Sequence, residues 1–213
     1  MSDKGDLPEL PPDAFGKWDS SPDEDFYREP RFVAHIDDHA IAAVTDLYRA
    51  LFPPGGAILD LMSSWISHLP DDVQYSAVIG LGLNEAELAA NPRLDRRIVQ
   101  NLNAEPALPL ESDSVDAAGI CVSIQYLEQP VAVLREAARV LRPGAPLAVT
   151  FSNRCFPTKA VAIWQALGGE DQMRLVILYL ARAGFERIEA RTLARPNGVT
   201  DPLWAVIGHK PTG

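Results

Sequence analysis

Apolar residues in this chain alternate between short unbroken runs and longer stretches with helical spacing. Runs at 57–61 (AILDL), 75–83 (YSAVIGLGL), 97–102 (RIVQNL), 114–123 (SVDAAGICVS) and 146–152 (PLAVTFS) have strand length. The fourth is apolar on both alternations, as a strand covered on both faces is. Between them lie helical patterns. Ile41, Val44, Leu47, Tyr48 and Leu51 recur on one face behind a cap at Asp37 or Asp38, and PPGG at 53–56 stops that helix. NEAELAA starts a second helix from an Asn cap with acids in its first turn. Residues 128–141 carry Val131, Leu134, Ala138 and Leu141 inward and Arg135, Glu136 and Arg139 outward, and end at Pro143-Gly144. Two further helices are predicted at about 157–167 and 170–183, divided by Gly168-Gly169, with Gly184 as the C′ residue of the second.

Two final apolar segments, FERIEARTL and LWAVIGHK, are joined only by ARPNGVTDP. A link that short makes no parallel crossover, so the pair is predicted to be an antiparallel hairpin. Strands alternating with helices predict an α/β fold: a mostly parallel sheet with helices on both faces.

At 213 residues the chain reads as one domain with a full core. A net charge of −10 argues against a nucleic-acid partner, whose phosphates need a basic surface. No apolar run reaches the ~18 residues that span a bilayer, so no membrane role is expected. The acidic, Pro-rich start is unlike a secretory signal. Cys121 and Cys155 show no metal or redox spacing, and a cytoplasmic home is inferred. Residues 1–25 hold eight acids against two lysines. The plainer reading is a flexible, solvated leader. The alternative is a lid ordered over the site, with Phe15, Trp18 and Phe26 as apolar anchors.

Two motifs carry a family resemblance. Residues 108–116 (LPLESDSVD) are similar to the polar turn that leads into the fourth strand of class I S-adenosylmethionine-dependent methyltransferases of the small-molecule, type 11 kind. RVLRPG at 139–144 is similar to that family's RVLKPGG. The resemblance implies a Rossmann-like seven-stranded sheet with one reversed strand. It divides the chain into the leader and a single domain over 26–213: an N-terminal helical cover (26–56), a cofactor-binding half (57–152) and substrate-side helices and strands (153–213). The cofactor it implies is S-adenosyl-L-methionine.

The family's first strand ends in an acid followed by G-x-G. Here Asp60 and Leu61 are followed by Met62, Ser63 and Ser64. Glycines at that place let backbone N–H groups approach a ligand. The serines offer N–H groups and hydroxyls but do not take positive φ cheaply. The stretch VIGLGLNEAEL matches the family's second strand, with Gly80 and Leu81 in it, and puts Gly82 where an acid holds the ribose. Asn84 or Glu85 is left as a substitute. The acid beside the adenine maps to Asn103, whose amide oxygen can accept from an amino group, with the Ala104 N–H facing a ring nitrogen. Ser123, after the fourth strand, completes the expected cofactor-binding set. LD-x-x-SSW-x-SHLP marks a divergent branch of the superfamily.

Methyl transfer needs alignment first, and a base only for a weakly acidic acceptor. The expected catalytic candidates are Tyr27, His35 and Arg154, with Arg31, Tyr126 and Asn153 beside the substrate. Arg31 or Arg154 offers a planar fork for a carboxylate or phosphate; His35 or Tyr27 offers a base. Plainer readings stand next to these. The aspartates of His35-x-Asp-Asp-His39 cap a helix rather than bind metal. His68 satisfies a turn, Trp65 is wall, Met62 is filler, Arg154 pairs a local acid, and Cys155 lacks a partnered base.

The sequence thus predicts methyl transfer to a small molecule, by a monomer or homodimer. The alternative is a methyltransferase-like binding protein with weak or absent catalysis. A nicotinamide oxidoreductase would need G-x-G-x-x-G after the first strand, which Met62-Ser63-Ser64-Trp65 lacks.

Overall fold

A computed structural model describes residues 6–213. The first elements are α1 (Asp23–Phe26), α2 (Asp38–Leu51), β1 (Ala57–Leu61), β2 (Ala77–Gly82), α3 (Glu85–Ala90) and β3 (Arg96–Val99). Then come β4 (Ala117–Cys121), α4 (Pro130–Val140), β5 (Pro146–Ser152), α5 (Ala162–Ala166), α6 (Gly169–Arg182), β6 (Glu186–Ala194) and β7 (Leu203–His209). The sheet runs β3-β2-β1-β4-β5-β7-β6. β1 to β5 run parallel to one another, whereas β7 lies antiparallel to both β5 and β6. The Rossmann-like, seven-stranded architecture and the closing hairpin are those the sequence predicts. Strand order reverses between β1 and β4, so a crevice opens beyond their carboxyl ends.

Each sheet face buries its own cluster. On one, α4 and α6 place Val131, Leu134, Val176 and Leu180 against Leu59, Ile120 and Val149. On the other, α2 places Val44, Tyr48 and Phe52 against Ile58, Val78 and Ala117. Gly119 in β4 lets α2 come this close: a Cβ there would stand 2.8 Å from the Tyr48 hydroxyl. Asp37 is the cap of α2, accepting from the Ala40 N–H at 2.9 Å.

The two family-like motifs hold β4 in place. Arg139 donates to the carbonyls of Leu108 and Leu110 (both 2.9 Å), and Glu136 accepts from the Leu108 N–H at 2.8 Å. Val115 bridges Leu141. Glu136 and Arg139, expected to face solvent, instead clamp the turn that delivers β4 to the site. Gly144 takes φ +80°, which its lack of a Cβ permits.

Two expectations change. The predicted helix at 157–167 is confined to Ala162–Ala166, because residues 156–161 turn to meet the N-terminal segment. The connections 62–76 and 100–116, for which the sequence predicts no helix, contain none, so the α2 face carries only α2 and α3. The flexible leader does not hold from Asp6 onward; residues 1–5 lie outside the described residues. Leu7 and Ala14 are buried, and Phe15 meets Tyr179. Ala162 and Ile163 donate backbone N–H groups to the carbonyls of Gly16 and Ala14, both at 2.8 Å. Asp6 takes a two-pronged pair of bonds from Arg135. Acids that read as a solvated face find cations on the body, and the segment becomes a strap. Of the anchors named from sequence, Trp18 stays 75% exposed.

Candidate functional site

Beyond the carboxyl ends of β1, β2 and β4 lies a cavity of about 310 Å³, roofed by the strap. That places it in the size class of small-molecule sites. Its floor is built by three strand ends and its roof by Asp23, Tyr27, Arg31 and His35.

The loop after β1 turns at Met62, whose φ is +57°. Ser63 then donates its N–H to the Leu81 carbonyl at 2.7 Å and lies across the end of β2. A Cβ on Gly82 would stand 2.2 Å from the Ser63 carbonyl oxygen. The Ser63 hydroxyl donates to Asp60 at 2.6 Å, and burial pushes the Asp60 carboxyl up to about 6. Ser64 donates its hydroxyl to Glu87 at 2.6 Å, while its carbonyl accepts from Asn91 at 2.9 Å. Further along, His68 takes φ +53°; burial lowers its imidazole to about 4, and its buried Nδ1 has no partner. Trp65 hangs from the Val33 carbonyl by its indole N–H (3.2 Å). Met62 and Trp65 both line the cavity without filling it.

At the end of β2, Asn84 caps α3 through the Glu87 N–H (3.0 Å) and donates to the carbonyls of Tyr27 and Arg28 at 2.8 and 3.1 Å. Glu87 reaches across to accept from the Arg31 N–H at 2.7 Å. At the end of β4, Val122 sits at φ +48°, an outlier for a β-branched residue. Ser123 carries a buried hydroxyl with no partner. Tyr126 accepts at its hydroxyl from the Phe156 N–H at 2.8 Å. Among the described residues, three of the five non-glycine residues at positive φ, namely Met62, His68 and Val122, therefore line one cavity. Such strain, of order 1–3 kcal/mol each, persists where surrounding structure holds it, and it clusters at functional sites.

Overhead, the Arg31 guanidinium lies over the rings of Phe26, Tyr27 and Phe156 at 4.6, 5.5 and 5.3 Å. Its Nη2 donates to the Phe26 carbonyl at 2.8 Å, and its buried Nη1 is unpartnered. His35 meets Phe156 edge-on at 5.3 Å, and burial holds its imidazole below the usual range. Burial keeps the Tyr27 phenol far above its ordinary range, so it stays protonated and serves as a donor, not as a base. Arg154 enters from the end of β5 with Nε held by Asp201 at 2.7 Å, the local acid pair that the plainer reading expected.

Of the expected cofactor set, Asp60, Met62, Ser63, Ser64, Leu81, Gly82, Asn84, Asn103 and Ser123 line the cavity. Leu61, Gly80 and Ala104 do not. Gly80 is instead covered by Leu94, which a Cβ would meet at 2.4 Å. The Ala104 N–H is spent on the Asn101 carbonyl at 3.1 Å. Asn103 is a bracket. It donates to Asp23 (2.8 Å) and to the Tyr126 carbonyl (2.9 Å), and it accepts from the Glu128 N–H (2.8 Å). Asn84 is likewise consumed by its cap and the strap, and Glu85 is exposed, so neither stands in for a ribose acid. Tyr27, His35, Arg154, Arg31 and Tyr126 share the cavity, while Asn153 is exposed outside it.

Sequence reasoning passed over Glu87, Asp23 and Phe156. The spacing of Asn84 and Glu87 is a capping-box signal, but here the glutamate turns away from the helix end to join Ser64 and Arg31. Nothing local marks Asp23 or Phe156. Burial pushes the Cys121 thiol up to about 12, and it raises Cys155 as well, so both remain thiols.

Residues 63–149 match a family model described as a methyltransferase domain. The fold is similar to solved structures of low identity. A structure described as the [4+2]-cyclase SpnF aligns with TM-score 0.61 at 17% identity, over 80% of this chain and 81% of that one. An S-adenosylmethionine-dependent methyltransferase from Thermotoga maritima aligns with TM-score 0.58 at 20% identity, over 81% and 90%. Another from Aquifex aeolicus gives 0.59 at 17%, over 81% and 91%. No curated protein sequence matches the chain.

Proposed function

We propose that this chain, whose residues 63–149 match a methyltransferase-domain model, is a class I S-adenosylmethionine-dependent methyltransferase that transfers the methyl group of S-adenosyl-L-methionine to a small-molecule acceptor. One observation carries the reading. The cavity lies at the switch point of the sheet, and three buried polar atoms among its lining residues have no partner: Arg31 Nη1, His68 Nδ1 and Ser123 Oγ. Buried polar groups are normally satisfied, so these three favour a ligand that completes them.

The lining residues fit the cofactor's two ends. Asp60, Ser63 and His68 would hold the amino-acid end, and Asn101, Leu102 and Leu127 would flank the base, with Ser123 between. When bound, the cofactor supplies an electrophilic methyl on a sulfonium. The chain's own groups align the acceptor and exclude water beneath the strap. Neutral His35 accepts a proton from an acceptor hydroxyl; Tyr27, held protonated, donates a hydrogen bond. No helix among the described residues is long and apolar enough to cross a membrane.

Calorimetric titration with S-adenosylmethionine and S-adenosylhomocysteine tests the proposal: both are expected to bind, and silence from both overturns it. A second reading, ligand binding without turnover, is favoured by the engaged Ser63 N–H and by the glycine at the ribose position. Mass-spectrometric detection of a methylated acceptor separates the two. The cytoplasmic location and a monomeric or dimeric state belong to this proposal, and sedimentation of the purified chain tests the latter.

A further inference from the structure

Among the described residues no carboxylate pairs with the Arg31 guanidinium in the roof of the cavity. Arg31 spends Nη2 on the Phe26 carbonyl and its backbone N–H on Glu87, and Nη1 is left buried without an acceptor. An unmade hydrogen bond of this kind costs about 1–3 kcal/mol, more for a charged donor. The cavity's carboxylates are already engaged. Glu87 accepts from Ser64 and the Arg31 N–H, Asp60 from Ser63, and Asp23 from Lys17 and Asn103. Arg154 adds a second guanidinium on the β5 side, with only its Nε committed. The walls next to Arg31 are aromatic. Tyr27, Tyr126 and Phe156 pack against one another at centroid distances of 6.1–6.4 Å and form one aromatic wall.

A cationic donor set among aromatic faces suits a flat anion. One open buried donor matches a carboxylate better than a phosphate dianion. The latter calls for a lysine or a run of backbone amides, and Lys159 is spent on Ser21 and Asp19. We propose that the acceptor is an aromatic carboxylic acid, its carboxylate on Arg31 and its ring against the wall of Tyr27, Tyr126 and Phe156. This rests on the methyltransferase reading of the same cavity and names its substrate class.

The test uses the full chain with S-adenosylhomocysteine present. Benzoate, 4-hydroxybenzoate and indole-3-acetate are titrated by calorimetry against their uncharged amides. At least one acid is expected to bind about tenfold or more tighter than its amide. Arg31→Gln is expected to remove that preference while binding S-adenosylhomocysteine within about threefold of wild type. Arg31→Lys, which keeps the charge but not the fork, is expected to fall between, and circular dichroism melts show that both fold. Equal binding of acids and amides, or silence from all three acids while S-adenosylhomocysteine binds, overturns the acceptor class and spares the cofactor. Loss of S-adenosylhomocysteine binding in folded Arg31→Gln also overturns it, because Arg31 then serves the cofactor. Silence of the wild type toward S-adenosylhomocysteine overturns the methyltransferase reading itself; Arg31-dependent acid binding would then still uphold the acid site.

Discussion

Gly82 lies directly under Ser63: a Cβ at position 82 would stand 2.2 Å from the Ser63 carbonyl oxygen. The two departures from the family pattern are thus one. Without a helix after β1, residues 62–64 fold onto the end of β2, and the close approach leaves no room for an acidic side chain there. The obstacle is backbone, which cannot swing aside. Gly82→Ala is expected to cost about 1–3 kcal/mol by overpacking, read as a lower urea midpoint. Gly80→Ala, whose Cβ would meet only the movable end of Leu94, is expected to cost clearly less. Equal losses would refute the backbone clash.

Met62 reverses the usual order of glycine and alanine. Elsewhere in regular structure glycine is worse by roughly 0.5–1 kcal/mol. At φ +57° an L-residue carries a steric cost of about 1–2 kcal/mol that glycine avoids. Met62→Gly is therefore expected to be more stable than Met62→Ala, although both remove the same side chain. Paired chemical denaturation curves decide the order.

Asp60 and His68 titrate in opposite senses. Asp60 is raised from 3.8 to about 6, so its contribution to stability is full below about pH 4 and is lost as pH rises through 6. His68 is lowered from 6.5 to about 4; its contribution is present above 6.5 and is lost as pH falls toward 4. Each amounts to about 3 kcal/mol. The two contributions nearly cancel between pH 4 and 6.5 in the wild type. Asp60→Asn should become acid-sensitive, and His68→Asn should lose stability as pH rises. Denaturant midpoints across that range check both slopes.

Lys159 is fully buried, with Nζ on the Ser21 carbonyl at 2.6 Å and facing Asp19 and Asp23 at 3.3 and 3.4 Å. Removing one partner of a buried ionic cluster costs about 3–5 kcal/mol. Lys159→Met is expected to lower stability by that order and to speed amide exchange in residues 17–27. Unchanged exchange there would show that the strap is held by other contacts.

The sheet was readable because its signals are local. Strand-length apolar runs, the cap at Asp37 and the short 195–202 link each bias their own few residues. RVLRPG could be placed for the same reason, although its Arg139 turned out to clamp the turn at 108–110. The site was less readable because its contacts span the chain. Asn103 looked like an adenine acceptor, but its amide oxygen already accepts from the Glu128 N–H and its amide nitrogen is held by Asp23, 80 positions away. Glu87 looked like a helix start and became the link between Ser64 and Arg31. The strap shows no periodicity, since its buried residues Leu7, Ala14 and Asp23 are separated by prolines and acids whose partners lie on the body.

The strap supplies Asp23, Tyr27 and Arg31 to the cavity roof, so a molecule bound beneath it touches both the sheet and the chain's beginning. Occupancy and the ordering of residues 6–31 are then one equilibrium seen from two ends. Saturation would show as protease resistance at the amino terminus, and trimming that terminus would weaken affinity while leaving the rest of the chain folded.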